Sequence, residues 1–178
     1  TCFDAVDGRP EQRIKPFEAL SMPLIDLSHL PSSARETEAL RQCVEEARRP
    51  FNLAEDLMLR TKLFRLGPSD HILCLNMHHI AFDEWSFGVL LRELAVLYQA
   101  HCEGKPAPLP PLPIQYADYA VWQRQWLTGK TLARHLDYWR NHLQGMSDQL
   151  DLPNDRKRPA WQTYRGALLA QPLSQKLT

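Results

Sequence analysis

The sequence has no excess of either charge. Its 21 Lys+Arg balance 21 Asp+Glu over 178 residues. No net field therefore draws the chain toward nucleic acid or an anionic membrane surface. It lacks any apolar run near the ~20 residues that a bilayer-spanning helix needs. Residue 1 is Thr, and no charged-then-apolar leader follows it. No internal repeat is visible. Cysteine is scarce, and Cys2, Cys43, Cys74 and Cys102 have no metal-ligand spacing. They are too sparse for a disulfide framework, so the expectation is reduced, buried thiols in a cytoplasmic protein. A membrane protein and a basic nucleic-acid binder are thereby excluded.

What is present is ordinary globular composition. Hydrophobic residues make up 44% and charged residues 24%, enough apolar side chain to build a core and too much for a disordered tail. A mass of 20.6 kDa suits one domain or a piece of a larger one. The first residues, Thr1-Cys2-Phe3, and the last, Leu177-Thr178, both read as cuts through something longer. Proline is the one excess, with 14 residues, about 8% against a usual ~5%. Five of them fall in PAPLPPLP at 106–113. That tract reads as a stiff, extended spacer between helices.

Periodicity gives the element order. Residues 1–14 read as strand, turn and strand, with Asp7-Gly8-Arg9-Pro10 as the turn. Residues 24–27 are a short extended piece. A helix follows Pro31, with Ser33 and Glu36 as a capping box and Leu40, Cys43, Val44 and Ala47 as its apolar stripe; Pro50 stops it. Residues 57–66 and 71–79 form a hairpin about Gly67-Pro68-Ser69-Asp70. Strand alternation puts Leu73, Leu75, Met77 and His79 on one face, and Ile72, Cys74, Asn76 and His78 on the other. Residues 85–102 form an amphipathic helix with Phe87, Leu90, Leu91, Leu94, Leu97 and Tyr98 as its stripe. Two helices follow, at 114–127 and 131–144. Tyr119, Trp122 and Trp126 lie at helical spacing and read as core. Residues 145–159 are loop-like, with Arg156-Lys157-Arg158 a solvated charge run, and 164–173 read as the start of a strand. The order implies an α+β fold, a mixed or antiparallel sheet with helices packed on it.

The chemistry concentrates in MHHIAFDEWS at 77–86. Two histidines end an apolar strand, an acid follows His79 by four residues, and a helix then begins. In one reading His79 is a general base or a group that positions a nucleophile, since imidazole titrates near ~6.5; Asp83 then orients the loop through an ion pair. A metal site is disfavoured, because adjacent strand histidines point to opposite faces and no further ligand lies at suitable spacing. In a third reading Asp83 is a helix N-cap and the histidines are satisfied by backbone.

MHHIAFDEWS closely resembles the His-His-x-x-x-Asp-Gly core of the condensation domains of nonribosomal peptide synthetases. That core also marks the wider chloramphenicol-acetyltransferase-like superfamily. The block YADYAVW at 116–122 is similar to the next condensation-domain motif. PLPPLPIQYADYAVWQRQWL, HLDYWRNHL and LPNDRKRP resemble its surroundings in the same order. The resemblance implies a chloramphenicol-acetyltransferase-like α+β fold, mainly the N-terminal lobe. It makes 1–178 a partial condensation domain: 1–145 most of the N-terminal lobe, 146–178 the linker and the start of the C-terminal lobe. It also implies an acyltransferase that forms a peptide bond when a carrier-bound acceptor amine attacks a carrier-bound donor thioester. His79 would take a proton from the amine or align it, His78 would support it while facing away from the channel, and Asp83 would be structural, paired with an arginine outside this chain. No metal and no directly bound cofactor are implied. Substrates would arrive on the phosphopantetheine of upstream and downstream peptidyl carrier domains, beside an adjacent adenylation domain. The paired histidines argue against a heterocyclisation subtype, and WSFGVLLREL against an epimerisation subtype. Glu84 stands where the motif has Gly, an exchange expected to be tolerated at a helix start. The alternatives are a degenerate platform that docks carrier proteins and a free-standing acyltransferase of the same superfamily. The chain alone is expected to be inactive.

Overall fold

A computed structural model describes residues 1–147, 152, 153, 156, 157, 159–164, 166, 167 and 169–174. The chain divides into two compact units, Thr1–Gln123 and Arg124–Thr178.

The first unit opens on a hairpin of β1 (Cys2–Val6) and β2 (Arg9–Arg13). Only Asp7 and Gly8 form its turn, both at positive φ. A two-residue Asp-Gly loop in that conformation matches the twist of the flanking strands. Arg9 and Pro10, expected in the turn, instead pair with Val6 and Ala5. The hairpin is tied to the loop at 53–55: Phe3 N–H donates to the Leu53 carbonyl at 2.7 Å, and Arg13 Nη2 to the Ala54 carbonyl at 3.1 Å.

A three-stranded mixed sheet follows, β3 (Leu24–Asp26), β4 (Leu59–Arg65) and β5 (His71–Met77), in the order β3-β4-β5. β3 runs parallel and β5 antiparallel to β4. Helix α1 (Ser32–Arg48) packs on this sheet. Leu27, Ala39, Phe64 and Leu66 form the buried core between them, flanked by Ile72, Cys43 and Cys74. In the β4–β5 register Phe64 faces Ile72, Lys62 faces Cys74 and Arg60 faces Asn76. The sheet surface under α1 thus passes from apolar to polar.

Helix α1 departs from expectation in two ways. It begins at Ser32, with Pro31 extended as N-cap and no side-chain cap bond. Ser33 therefore already lies inside the first turn, and the capping box does not form. Its buried side carries Arg35, Ala39, Cys43 and Glu46, whereas Leu40 and Val44 are half exposed. Glu46 is buried and Arg35 half-buried, and both are well partnered. The Arg35 guanidinium donates to the carbonyls of Leu30, Leu66 and Ser28 at 2.7–2.8 Å. The Glu46 carboxylate meets Arg49 at 2.7 Å, Lys62 at 2.9 Å and Arg60 at 3.6 Å. Arg49 is extended before Pro50 and ends the helix.

Helix α2 (Glu84–Cys102) is closed by a glycine two residues past its end. Gly104 has φ +65, its N–H donates to the His101 carbonyl, and Lys105 N–H donates to that of Ala100. This pairing closes a helix on a left-handed residue. The apolar stripe of α2 is largely exposed: Phe87, Leu91, Leu94, Leu97 and Tyr98 are each more than a third exposed, and Leu90 is half-buried. The proline tract that follows forms neither helix nor strand.

Helix α3 (Tyr116–Trp126) follows, and α4 (Gly129–His142) lies in the second unit. Tyr119, Trp122 and Trp126 are exposed rather than core. No residue of α3 or α4 is buried, so the aromatic spacing marks a helix face that is largely exposed rather than core.

The thiols are free, as expected, but only Cys2 is buried; Cys43 and Cys74 are half-buried and Cys102 is exposed. Burial pushes the Cys74 thiol up to about 11, and its hydrogen bond with Cys43 adds to the effect. Within the expected 145–159 loop, residues 148–151, 154, 155 and 158 lie outside the described residues, as do Arg165 and Leu168 of the expected strand at 164–173. The described residues of that stretch form no strand. Among the described residues no helix is long and apolar enough to cross a membrane.

Candidate active site

The sequence at 77–86 folds into a strand end, a tight turn and a helix start. β5 stops at Met77, two residues before the expected end. His78 N–H still donates to the Met58 carbonyl at 3.1 Å, and Ala81 N–H turns back to the His78 carbonyl. The His78 ring then folds onto its own turn. Its Nδ1 accepts the Ile80 N–H at 3.0 Å, which fixes the proton of the neutral ring on Nε2. The ring also meets Phe51 edge-on, centroids 5.6 Å apart. Arg60 lies over the same phenyl group at 3.9 Å. His78 is thus held by a local packing cluster.

His79 goes elsewhere. It is exposed and lines a cavity of about 540 Å³. Residues 79–83 and Ser86 form one wall, residues 115–117 a second, and the hairpin a third. The hairpin residues are Thr1, Phe3, Gln12 and Ile14. Their placement follows from strand alternation. Phe3 pairs with Gln12 and Cys2 with Arg13, so Thr1, Phe3, Gln12 and Ile14 share one face and Cys2 and Arg13 the other. On the second face Cys2 is buried, while Arg13 is exposed.

Asp83 caps α2. Its Oδ1 accepts the Ser86 N–H at 2.9 Å and the Ser86 hydroxyl at 2.5 Å. These two bonds hold the Asp83 carboxyl below the usual carboxylate range, and the nearby His79 adds to the effect. None of the ion pairs among the described residues involves Asp83. The N-cap arrangement is therefore what organises the loop within this chain. Glu84 is the first residue of α2 and is exposed. Its φ is not positive, so nothing in the backbone there requires glycine. Across the cavity, Asp118 Oδ2 accepts the Gln115 N–H at 2.8 Å, fixing the start of α3 where Tyr116 lines the site.

The structure therefore brings His79, Asp83 and the start of the YADYAVW block to one cavity and leaves His78 outside it. Phe3, Gln12 and Ile14 were not anticipated as site residues. The period-2 pattern of the hairpin already places them on one face, but nothing local says what that face meets. Among the described residues no group of three or more His, Cys, Asp or Glu is placed to hold a metal ion.

The condensation-domain family model matches residues 1–178. This chain belongs to the condensation-domain family. It is 48% identical over 166 residues to a linear gramicidin synthase of Brevibacillus parabrevis, covering 93% of this chain and 3% of that one. It is 47% identical over 180 residues to phosphinothricin tripeptide synthetase PhsC of Streptomyces viridochromogenes, covering 100% of this chain and 16% of that one. Among solved structures it is similar to the X-domain of teicoplanin biosynthesis, solved in complex with OxyB, at 30% identity and a TM-score of 0.76, over 89% of this chain and 34% of that one. The chain thus spans only a small part of the length of these synthetases and about a third of the solved domain. The fold is the α+β, chloramphenicol-acetyltransferase-like fold of solved condensation domains, small sheets with helices packed beside them.

Proposed function

We propose that this condensation domain forms a peptide bond between two carrier-bound substrates, with His79 at the acceptor amine. The observation that carries the reading is the divergence of the paired histidines: His79 lines the cavity while His78 is engaged by Ile80 and Phe51. The acceptor amine attacks the donor thioester carbonyl, a C–N bond forms and the C–S bond breaks. The proton lost by the amine ends on the departing phosphopantetheine thiol. His79 takes that proton or aligns the nitrogen lone pair, and much of the rate comes from holding both substrates in attack geometry. His78 supports the turn, and Asp83 holds the start of α2. No metal enters the scheme. The upstream and downstream carrier domains bring the substrates on their phosphopantetheine arms, and an adenylation domain loads them. Residues 1–145 supply most of the N-terminal lobe and 146–178 the linker toward the C-terminal lobe, so the isolated chain is inactive.

The test is peptide formation by the full-length parent with carrier-loaded substrates, read by mass spectrometry. His79→Ala should lower turnover by about 10²-fold or more. His78→Ala should lower it less. Turnover unchanged by His79→Ala would sink the reading and favour a carrier-docking platform. That second reading draws support from the structural relative solved in complex with OxyB, a partner held by the same fold. A free-standing acyltransferase fits less well, because the chain carries the YADYAVW block and the helices around it.

A further inference from the structure

His79 sits inside a turn whose two hydrogen bonds both end on His78. The Ala81 N–H donates to the His78 carbonyl at 3.1 Å, and the Ile80 N–H to His78 Nδ1 at 3.0 Å. A side-chain acceptor two residues before the donor closes a turn as an Asx motif does. The direction of His79 therefore depends on where the His78 ring lies.

That ring is held from outside the histidine motif. His78 N–H donates to the Met58 carbonyl, so the β4–β5 ladder reaches one residue past β5. Arg60 pairs with Asn76 in that ladder. Strand alternation then sends the Arg60, Asn76 and His78 side chains to one face of the sheet. Asn76 reaches α1 there, at the Glu46 carbonyl. Phe51, just past the proline that stops α1, lies between the other two. The His78 ring meets it edge-on, with centroids 5.6 Å apart, and the Arg60 guanidinium covers it at 3.9 Å. The backbone on both sides of Phe51 is tied down as well. Arg60 donates to the carbonyls of Arg49 and Pro50 at 3.0 and 2.8 Å. Asp56 Oδ2 accepts from Arg60 at 2.7 Å and from the Asn52 N–H at 3.0 Å. Phe51 is thus a fixed wall for the imidazole.

We propose that Phe51 is a positioning residue for His79: its ring, clamped by Arg60, fixes the His78 imidazole, and the imidazole fixes the turn that turns His79 into the cavity. The inference rests on the reading of His79 as the residue at the acceptor amine. It places part of the catalytic geometry in the segment after α1, about 27 residues upstream of the histidines. A small displacement of a reacting group costs up to about 10²-fold in rate. A loosened His79 therefore accounts for a measurable loss without any contact between Phe51 and substrate.

The experiment measures peptide formation by the full-length parent with carrier-loaded substrates. Phe51→Leu keeps an apolar side chain and removes the ring. It should lower kcat about tenfold and leave KM for the acceptor carrier within about twofold, which shows that the cavity still forms. Phe51→Tyr keeps the ring and should restore the rate. In a His79→Ala background Phe51→Leu should cost less than about twofold more, because the two changes remove one effect. His78→Asn is a second variant. It keeps an acceptor for the Ile80 N–H and loses the ring that Phe51 holds, so it should lose about as much as Phe51→Leu. A loss from Phe51→Leu that is the same with and without His79 would overturn the proposal, since Phe51 would then act only on folding. A wild-type rate in either Phe51→Leu or His78→Asn would overturn it too, while leaving the role of His79 intact. A wild-type rate in His79→Ala itself would instead overturn the underlying reading, and the proposal with it.

Discussion

Asp83 accepts both of its hydrogen bonds from one residue, Ser86, and on one oxygen. It thereby closes the first turn of α2 and sets the spacing between that turn and His79. Replacing an N-cap aspartate by alanine costs about 1 kcal/mol. In the parent domain Asp83→Ala should lower stability by that amount and slow peptide formation more than the stability loss explains; Asp83→Asn, which still caps, should restore most of both. Chemical denaturation beside turnover measurements separates the two effects. Glu84 makes the complementary case. It is helical and exposed, and its charge suits a helix N-terminus. Glu84→Gly should cost about 1 kcal/mol of stability, from lost helix propensity and dipole interaction, and leave turnover within about twofold. A large gain in turnover would show that the motif glycine is needed for catalysis.

At the scale of elements, α1 is held on its sheet by charge as much as by apolar contact. Glu46 is 7% exposed and meets Lys62 and Arg60 of β4 as well as Arg49. The Asn76 amide adds a bond from β5 to the Glu46 carbonyl at 2.9 Å. The hydrogen bond from Lys62, more than any other contact, holds the Glu46 carboxyl below its ordinary range. A carboxyl whose folded value lies below its unfolded value of about 4.3 adds stability above that pH. The contribution fades as pH falls through the lower folded value. Glu46→Gln should therefore destabilise the domain by about 2 kcal/mol at neutral pH, the scale of a charged hydrogen bond, and the gap to wild type should narrow in acid. Urea midpoints at neutral pH and well into the acid range measure both. A gap that is constant with pH would mean the ion pairs contribute nothing.

This same helix shows where sequence patterning stops. The location of α1, its proline boundaries and the hairpin-plus-strand sheet were legible, because periodicity and punctuation are local. Its buried face was not. Apolar spacing selected Leu40 and Val44, whereas the half-buried Arg35 and the buried Glu46 are held by partners distant in sequence, at Leu66 and Lys62. The site divides in the same way. His79, Asp83 and the YADYAVW block could be read from motifs, and the divergence of His78 from His79 from strand alternation. That the hairpin at 1–14 forms the cavity's third wall depends on contacts across the whole first unit, which no local pattern encodes.

For the whole molecule, the decisive quantity is how little of the apolar surface is covered. Among the described residues the buried hydrophobics are Cys2, Leu27, Ala39, Met58, Phe64, Leu66 and Ala100. Against them stand the exposed stripes of α2, α3 and α4, with Leu91, Leu94, Leu97, Trp122, Leu136 and Trp139 each more than a third exposed. Contiguous apolar surface beyond a few hundred Å² marks a region that another surface covers. The chain corresponds to about a third of the solved relatives, 34% of the X-domain among them. A core of this size supplies only a few kcal/mol of net stability in a small scaffold. The isolated 178 residues should therefore bind a hydrophobic dye strongly, unfold at a lower urea concentration than the full domain and self-associate in sedimentation velocity experiments. They should also give no peptide from carrier-loaded substrates that the parent converts. The full domain, measured in parallel, should bind the dye weakly and unfold cooperatively. A monomeric, dye-silent and catalytically active chain of this length would mean that the exposed helix faces are a tolerated surface and that the cavity beside His79 is complete without further protein.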